Sequence, residues 1–317
     1  MKDDVTFIKL NTTRLRYAIF PLIRLIRRER PDLIFSTVAT YNVLAIMSNL
    51  LSFTKTKIIV REAACLGGSR KENLMLRLYG LFYRFANRVI ALSEGVKENI
   101  VDRYRVRRDK INVIYNPVDL NHIRQKMKQE DDIPNTIQSL YNNGKKTIIS
   151  AGRFVKEKDQ KSLIRAFAKI QSETNSELII LGEGELEEEL KQLVNEKGIQ
   201  EYVHFIGFQQ NPYVYFRKAD LFVLTSLTEG FGHVLVEAMA TGTPIVSTRC
   251  KPGAQEVLAN GKYGVMCNVG DVEEIAQKMK EMLMLPKETR DEIIQKGFER
   301  AAQFDVELII KQYEKIF

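Results

Sequence analysis

Short apolar runs rich in β-branched residues recur along this chain with room for a helix between each pair, and that alternation restricts the fold more than any other feature. In the first part the runs are 5–9, 33–37, 57–61, 88–92 and 111–115. In the second they are 146–151, 177–181, 202–206, 220–224 and 243–247, with a weaker one at 264–267. Amphipathic segments such as 160–171 and 186–196 fill the gaps. Strand and helix in alternation is the sequence form of parallel, doubly wound sheets covered by helices, so two Rossmann-like α/β layers are expected. Between them 121–144, rich in Lys, Gln, Asp and Asn and lacking a strand pattern, reads as a linker or surface excursion. That division predicts a first domain over 1–120 and a second over 145–300. The tail from 271 is helical, with breaks near 285–286 and 304–305. Its last helix, within 301–317, has no strand of its own and needs a surface to cover, the first domain being the candidate.

Composition narrows the function classes. A chain of 317 residues, 44% hydrophobic and 28% charged, can bury two cores, which excludes disordered and collagen-like classes. Cys65, Cys250 and Cys267 are too few and too scattered for a disulfide framework or a metal site; they are expected to be buried free thiols in a reducing compartment. No run reaches the roughly 18 uninterrupted apolar residues of a spanning helix, since 36–53 is broken by Thr40, Asn42, Ser48 and Asn49. The start Met-Lys-Asp-Asp lacks the apolar core of a secretory signal, so a cytoplasmic protein is expected.

Charge is divided unevenly. Residues 1–120 carry 22 Lys and Arg against 11 Asp and Glu, while the remainder carries 26 against 29. A nucleic-acid partner would call for interleaved aromatics or a recognisable binding module, and neither is found. Instead Arg14, Arg16, Arg24, Arg27, Arg28 and Arg30 follow one helical pattern with Tyr17, Phe20, Ile23 and Ile26 between them. A solvated helix face and contact with anionic lipid headgroups at the inner face of the cell membrane both fit that pattern.

The chemistry concentrates in 220–240, DLFVLTSLTEGFGHVLVEAMA. A strand ends near Leu224, a loop carries Glu229, Gly230, Phe231 and Gly232, and a helix begins near His233. Glycines let the backbone approach a ligand closely, and the N–H groups and positive dipole end at the helix start suit a diphosphate. Glu237 lies further along that helix, where side chains lean back toward the N-terminus, so its carboxylate can meet paired hydroxyls such as those of a ribose. Glu229 could accept from sugar hydroxyls or stabilise a developing positive charge. After the strand 146–150 come Gly152, Arg153 and Lys158. Ligands sit outside the carboxyl ends of parallel strands, so these cations are expected to emerge beside the Glu229 loop and neutralise a departing diphosphate in place of a metal ion. No metal-ligating cluster is evident. The Gly182-Glu183-Gly184 turn has low specificity and reads equally well as structural.

Taken together these segments resemble the family 4 glycosyltransferases of the GT-B fold: GR with a lysine five residues on, the LGEGE turn, the VHFIGF strand, and EGFGHVLVEAMATGTPIVST with two glutamates eight apart. The similarity runs from about Asn87 (NRVIALSEGVKENI, then INVIYNPVD) to the end and more loosely to the first residues. It implies two Rossmann-like domains facing a cleft and a retaining, metal-independent transfer from a nucleotide sugar, UDP-linked by family weight, without a separate cofactor. By position, Arg153 and Lys158 with Gly152 would bind the diphosphate, Glu237 the ribose and Glu229 the donor sugar. Backbone from Phe231 through Gly232 and His233 to Val234 would meet sugar and phosphates, and backbone around Gly207 and Phe208 would frame the base.

The first domain departs from the family pattern. Members open with a strand and a glycine-rich loop, whereas the earliest glycine here is Gly67, so an opening strand, loop and helix are expected to be absent and five strands to remain. After the strand 57–60, where many relatives place a histidine, stand Arg61 and Glu62; an active-site role and a structural ion pair are both open to them. His122 and His204 read as structural. The leading expectation is a glycosyltransferase acting on a hydroxyl of a lipid-linked saccharide or polysaccharide of the cell envelope. The alternatives are a nucleotide-sugar-binding protein or incomplete subunit without turnover, and, ranked below it, a sugar-nucleotide epimerase.

Overall fold

The computed structural model describes residues 5–129 and 133–317. The Met-Lys-Asp-Asp start and residues 130–132 of the expected linker lie outside the described residues. The chain divides into two compact units, one running to Ile114 and taking in Tyr313–Phe317, the other spanning Tyr115–Gln312.

In the first unit α1 (Ile19–Glu29), β1 (Leu33–Thr37), α2 (Ala39–Ser52), β2 (Lys57–Glu62), α3 (Arg70–Tyr83), β3 (Arg88–Ala91), α4 (Glu94–Asn99) and β4 (Ile111–Val113) follow one another. The strands form a parallel sheet in the order β1-β2-β3-β4, with Ile34 opposite Ile58, Val60 opposite Val89, and Val89 opposite Ile111. Ile46, Ile58, Val60, Leu76, Tyr83 and Val89 belong to its buried core. Ser69 and Glu72 start α3 with a reciprocal capping box, and Ser93 caps α4 through the N–H of Val96. On α1 Ile23 and Ile26 are buried, as is Ala18 in the turn before it, while Arg24 and Arg28, like Arg16 ahead of the helix, face out. Arg27 has a different job, donating to the carbonyls of Leu51 and Ser52 at the end of α2, 2.9 and 3.1 Å away.

Two expectations are corrected here. Residues 5–9 form no strand: they have no regular secondary structure and are exposed throughout. Their apolar, β-branched run gains nothing without a ladder partner and an apolar layer to cover, so among the described residues the sheet has four strands, not five. Cys65 is exposed, because it sits in the irregular stretch after β2 where no element covers it; Cys250 and Cys267 are buried.

The second unit contains α5 (Leu120–Lys126), α6 (Asn135–Asn142), β5 (Lys146–Ala151), α7 (Gln160–Thr174), β6 (Ser176–Leu181), α8 (Glu187–Glu196), β7 (Val203–Phe205), α9 (Tyr213–Lys218) and β8 (Leu221–Leu224). It continues with α10 (His233–Ala240), β9 (Ile245–Thr248), α11 (Gly253–Val257), β10 (Val265–Cys267), α12 (Val272–Leu283), α13 (Lys287–Ala302) and α14 (Val306–Glu314), the last as far as Gln312. Its six-stranded parallel sheet runs β10-β9-β8-β5-β6-β7. Both β6 and β8 are buried along their whole length, which is why all of β8 and β6 from Leu178 on read as apolar runs. Two α/β units with parallel sheets are thus present, and the strand order of the second reverses beside β5 as in a doubly wound sheet.

The boundary between the units lies at 114, against an expected 120, because the strip from Tyr115 is pinned to the second unit. Val118 donates to Phe304 (2.9 Å) and accepts from Val306 (3.0 Å), and the Tyr115 hydroxyl donates to Glu256 (2.8 Å). Helices α5 and α6 occupy part of the stretch read as linker, and α6 is tied down where the Tyr141 hydroxyl donates to the carbonyl of Tyr215. In the first unit the rings of Tyr313 and Phe317 stand edge-on to Phe35, 6.0 and 5.7 Å away. No helix among the described residues is long and apolar enough to cross a membrane.

Candidate active site

Strand order in the second sheet reverses beside β5: β6 and β7 extend to one side, β8, β9 and β10 to the other. The crevice outside the carboxyl ends of β5 and β8 is therefore the topological switch point, where open parallel sheets bind ligands. Two loops leave it, one carrying Gly152, Arg153 and Lys158, the other carrying 225–232 before α10.

These loops are tied to each other through backbone and side chains. Lys158 and Glu229 form an ion pair, with side chains only 22% and 12% exposed. The Ser226 hydroxyl donates to Glu229 Oε1 at 2.7 Å, and the amide of Gly253 donates to the Glu229 carbonyl at 2.9 Å. From the other side, Thr225 Oγ1 donates to the carbonyls of Lys158 (3.2 Å) and Asp159 (2.9 Å), and the N–H of Leu227 to that of Glu157 (2.8 Å). Lys158 and Glu229 are thus held by neighbours on both loops, the support a precise electrostatic site needs. Arg153 is exposed, its carbonyl accepts from Gln160 Nε2 at 2.9 Å, and its guanidinium makes no ion pair among the described residues.

Gly232 opens α10 at φ +88°, a left-handed conformation that a residue with a Cβ adopts at a cost. The first N–H groups of a helix have no acceptor within it, and with the positive end of the dipole they lie at this turn. Phe231 contributes main chain only: its ring is buried edge-on to Phe304 (5.3 Å) and beside Tyr115 (5.9 Å). The exposed His233 packs its ring against Phe231 at 5.1 Å. Glu237 is half-buried, and its carboxyl makes no hydrogen bond or ion pair among the described residues; burial alone pushes that carboxyl up to about 7. Burial, then the Glu237 charge, pushes the nearby Tyr213 phenol up to about 12.

At β6 and β7, the Gly182 N–H donates to the Gly207 carbonyl at 2.9 Å, and the Phe208 N–H to Glu183 Oε1 at 3.2 Å. The Phe208 ring is 69% exposed. A Cβ on Gly182 would fall 2.0 Å from the carbonyl oxygen of Gly152, so the LGEGE turn is built for backbone-on-backbone stacking against the Arg153 loop. The glycine that looked unspecific in sequence therefore fixes the height of the cationic loop.

In the first unit Glu62 is 2% exposed. It accepts from the Tyr83 hydroxyl and from Asn42 Nδ2 at 3.1 Å, and burial pushes it up to about 7 against both hydrogen bonds. It is an interior carboxyl in a neutral hydrogen-bonded network, neither an ion pair nor open to solvent. Arg61 points the other way along β2, half-buried, and its carbonyl accepts from Val38 and Asn42. His204 is paired with Glu177 at 2.7 Å, and His122 lies edge-on to Tyr213. Among the described residues no three His, Cys, Asp or Glu side chains are grouped to hold a metal ion. Sequence reading passed over Ser226, Thr225 and Tyr213; the first two form a polar pair directly after a fully apolar strand, the signal that could have found them.

The family model for glycosyl transferases group 1 matches residues 132–300, and that for glycosyltransferase family 4 matches residues 4–122. An N-acetylgalactosamine-N,N'-diacetylbacillosaminyl-diphospho-undecaprenol 4-alpha-N-acetylgalactosaminyltransferase of Campylobacter jejuni is 30% identical over 302 residues, covering 94% of this chain and 76% of that protein. An uncharacterized glycosyltransferase of Methanocaldococcus jannaschii is 28% identical over 334 residues, covering 93% and 81%. Among solved structures, Anabaena HepE in complex with UDP has a TM-score of 0.83 at 23% identity, covering 94% of this chain and 81% of that one. That likeness bears on the fold.

Proposed function

The chain belongs to the family 4 glycosyltransferases and has their GT-B fold, and from this premise we propose that it transfers a sugar, with retention and without a metal ion, from a nucleoside diphosphate sugar to a lipid-linked saccharide or polysaccharide of the cell envelope. In this reading Lys158 and Arg153 receive the negative charge that grows on the diphosphate as its bond to the anomeric carbon breaks. Glu229 accepts from the donor sugar and Glu237 from the ribose. The N–H groups at Phe231 to Val234 and the backbone of Gly152 complete the phosphate and sugar contacts, with Gly207 and Phe208 beside the base. UDP is the expected nucleotide. The enzyme would act in the cytoplasm, its basic first unit drawn to anionic headgroups at the inner face of the membrane where a lipid-linked acceptor is found.

The observation that carries the reading is the Lys158–Glu229 pair at the switch point between β5 and β8. A diphosphate entering there offers Lys158 more negative charge than Glu229 alone, so the lysine can turn to the leaving group while Glu229 is released toward the sugar. Support for the acceptor class comes from the Campylobacter relative, whose name specifies a diphospho-undecaprenol acceptor. The test is transfer of labelled sugar from a UDP-sugar to lipid-linked saccharide, comparing the natural chain with Arg153→Ala and Lys158→Ala. Removing one preorganised charge from such a site costs roughly a hundredfold in turnover; unchanged turnover in both variants refutes the assignment.

A further inference from the structure

At the carboxyl end of β1 the backbone takes a conformation that its side chain resists. Val38, between β1 and α2, has φ +77° and ψ +126°, a combination open to glycine and costly for a β-branched residue. Arg30, Phe53 and Arg105 also have positive φ in the first unit, but each follows a helical segment as an ordinary left-handed cap, with ψ of 55°, 29° and 34°. Val38 instead opens a helix, and its geometry has to be imposed by the groups around it.

Asn42 supplies that constraint. Its Nδ2 donates to the Arg61 carbonyl at 2.9 Å, the same acceptor that takes the Val38 N–H at 3.3 Å, while the Asn42 N–H donates to the Val38 carbonyl at 2.9 Å. Nδ2 also lies 3.1 Å from Glu62 Oε1 and 3.0 Å from the Tyr83 hydroxyl, which itself donates to Glu62. Asn42, Glu62 and Tyr83 are all buried. The amide is turned so fully toward donation that its Oδ1 is buried with no partner among the described residues, a cost that packing alone does not explain. What the clamp holds is open to solvent: Val38 is 49% and Tyr41 54% exposed. Tyr41 lines a hollow of about 540 Å³ together with Thr12, Thr13, Arg14, Ser36 and Leu44. That hollow is of small-ligand size, and an aromatic side chain among hydroxyls and one guanidinium suits a pyranose ring, whose C–H face packs on the aromatic while its hydroxyls meet the polar groups.

We propose that the hollow flanking this turn takes a sugar ring of the acceptor against Tyr41, and that Asn42 is the positioning residue that holds the turn, through Val38, in the shape the sugar meets. The identity of the ligand rests on the sugar-transfer reading. The test is titration of the full chain with a soluble short-chain polyprenyl-diphosphate N-acetylgalactosamine, with and without UDP, followed by the backbone amide shifts of residues 36, 38 and 41. In the natural chain those three amides should respond. Tyr41→Ala and Asn42→Ala should each weaken probe binding about tenfold and leave UDP affinity unchanged. In a Val38→Gly background the turn is no longer strained, so there Asn42→Ala should cost no more than about twofold; an asparagine that only supports the fold would cost the same in both backgrounds. Should Asn42→Ala fail to fold, Tyr83→Phe, which removes one hydroxyl of the same network, decides through a loss of about threefold that Val38→Gly relieves. A probe response confined to other residues, undiminished probe affinity in the folded variants, or an equal cost in both backgrounds would overturn the proposal. Calorimetry with UDP reports on the second unit independently: loss of UDP binding with an intact probe response would strike the donor-site reading and leave this one standing, and UDP binding without a probe response would do the reverse.

Discussion

Lys158 and Glu229, 71 residues apart in the chain, form an ion pair that joins the loops leaving β5 and β8. The pair sits where nothing in local sequence requires it, and Ser226 holds its acidic member from a third position.

Ser226 is therefore expected to act through Glu229. Ser226→Ala removes one hydrogen bond to a charged group, worth about 1.5 kcal/mol or more, and should lower turnover about tenfold while leaving the affinity for UDP alone nearly unchanged. Steady-state kinetics and calorimetry on the same preparation check both halves.

Glu237 gives the site a pH dependence. Its carboxyl, raised by burial to about 7, is largely protonated at pH 6 and ionised at pH 8. Ribose hydroxyls donate more strongly to the ionised form, so UDP affinity should rise through that window. In Glu237→Gln the rise should disappear, with affinity near the natural chain's low-pH value. A natural chain whose UDP affinity is flat from pH 6 to 8 would contradict the role.

Glu62 gives the first unit a pH dependence of stability. Its folded pKa of about 7 lies above its ordinary value, so the stability tied to the neutral form is complete below the unfolded pKa and is lost as pH rises through about 7. The shift corresponds to ~3 kcal/mol. Glu62→Gln should denature at nearly the same urea concentration at pH 5 and pH 8, whereas the natural chain should lose ground at pH 8.

Phe231 tests the buried support beneath the glycine loop. Its ring is enclosed by Phe304 and Tyr115, and truncating such a side chain costs about 3–5 kcal/mol. Phe231→Ala should lower the melting temperature as well as activity, while His233→Ala, at an exposed position, should leave the melting temperature unchanged.

Much of this was legible in the sequence because the strong signals were periodic. Fully buried strands such as β6 and β8 announce themselves as apolar runs, and the breaks in the tail fall between α12, α13 and α14. The second unit's chemistry was legible because Gly232 and the run to Ala240 mark one strand-loop-helix turn. What was hidden depends on tertiary pairing. Residues 5–9 have a strand's pattern and no neighbour to pair with. Cys65 has an ordinary core residue's character, yet lies in an uncovered loop. The 115–119 strip looked like the end of the first domain until Val118 was seen bonded to Phe304.

The diphosphate grip of Lys158 and Arg153 is tested most directly by calorimetric titration of UDP and of uridine into the natural chain, Lys158→Ala and Arg153→Ala. The account predicts that the natural chain prefers UDP over uridine by about a hundredfold and that each variant forfeits most of that preference while binding uridine as before. Equal affinity for UDP and uridine in the natural chain, or an undiminished preference in both variants, would contradict it.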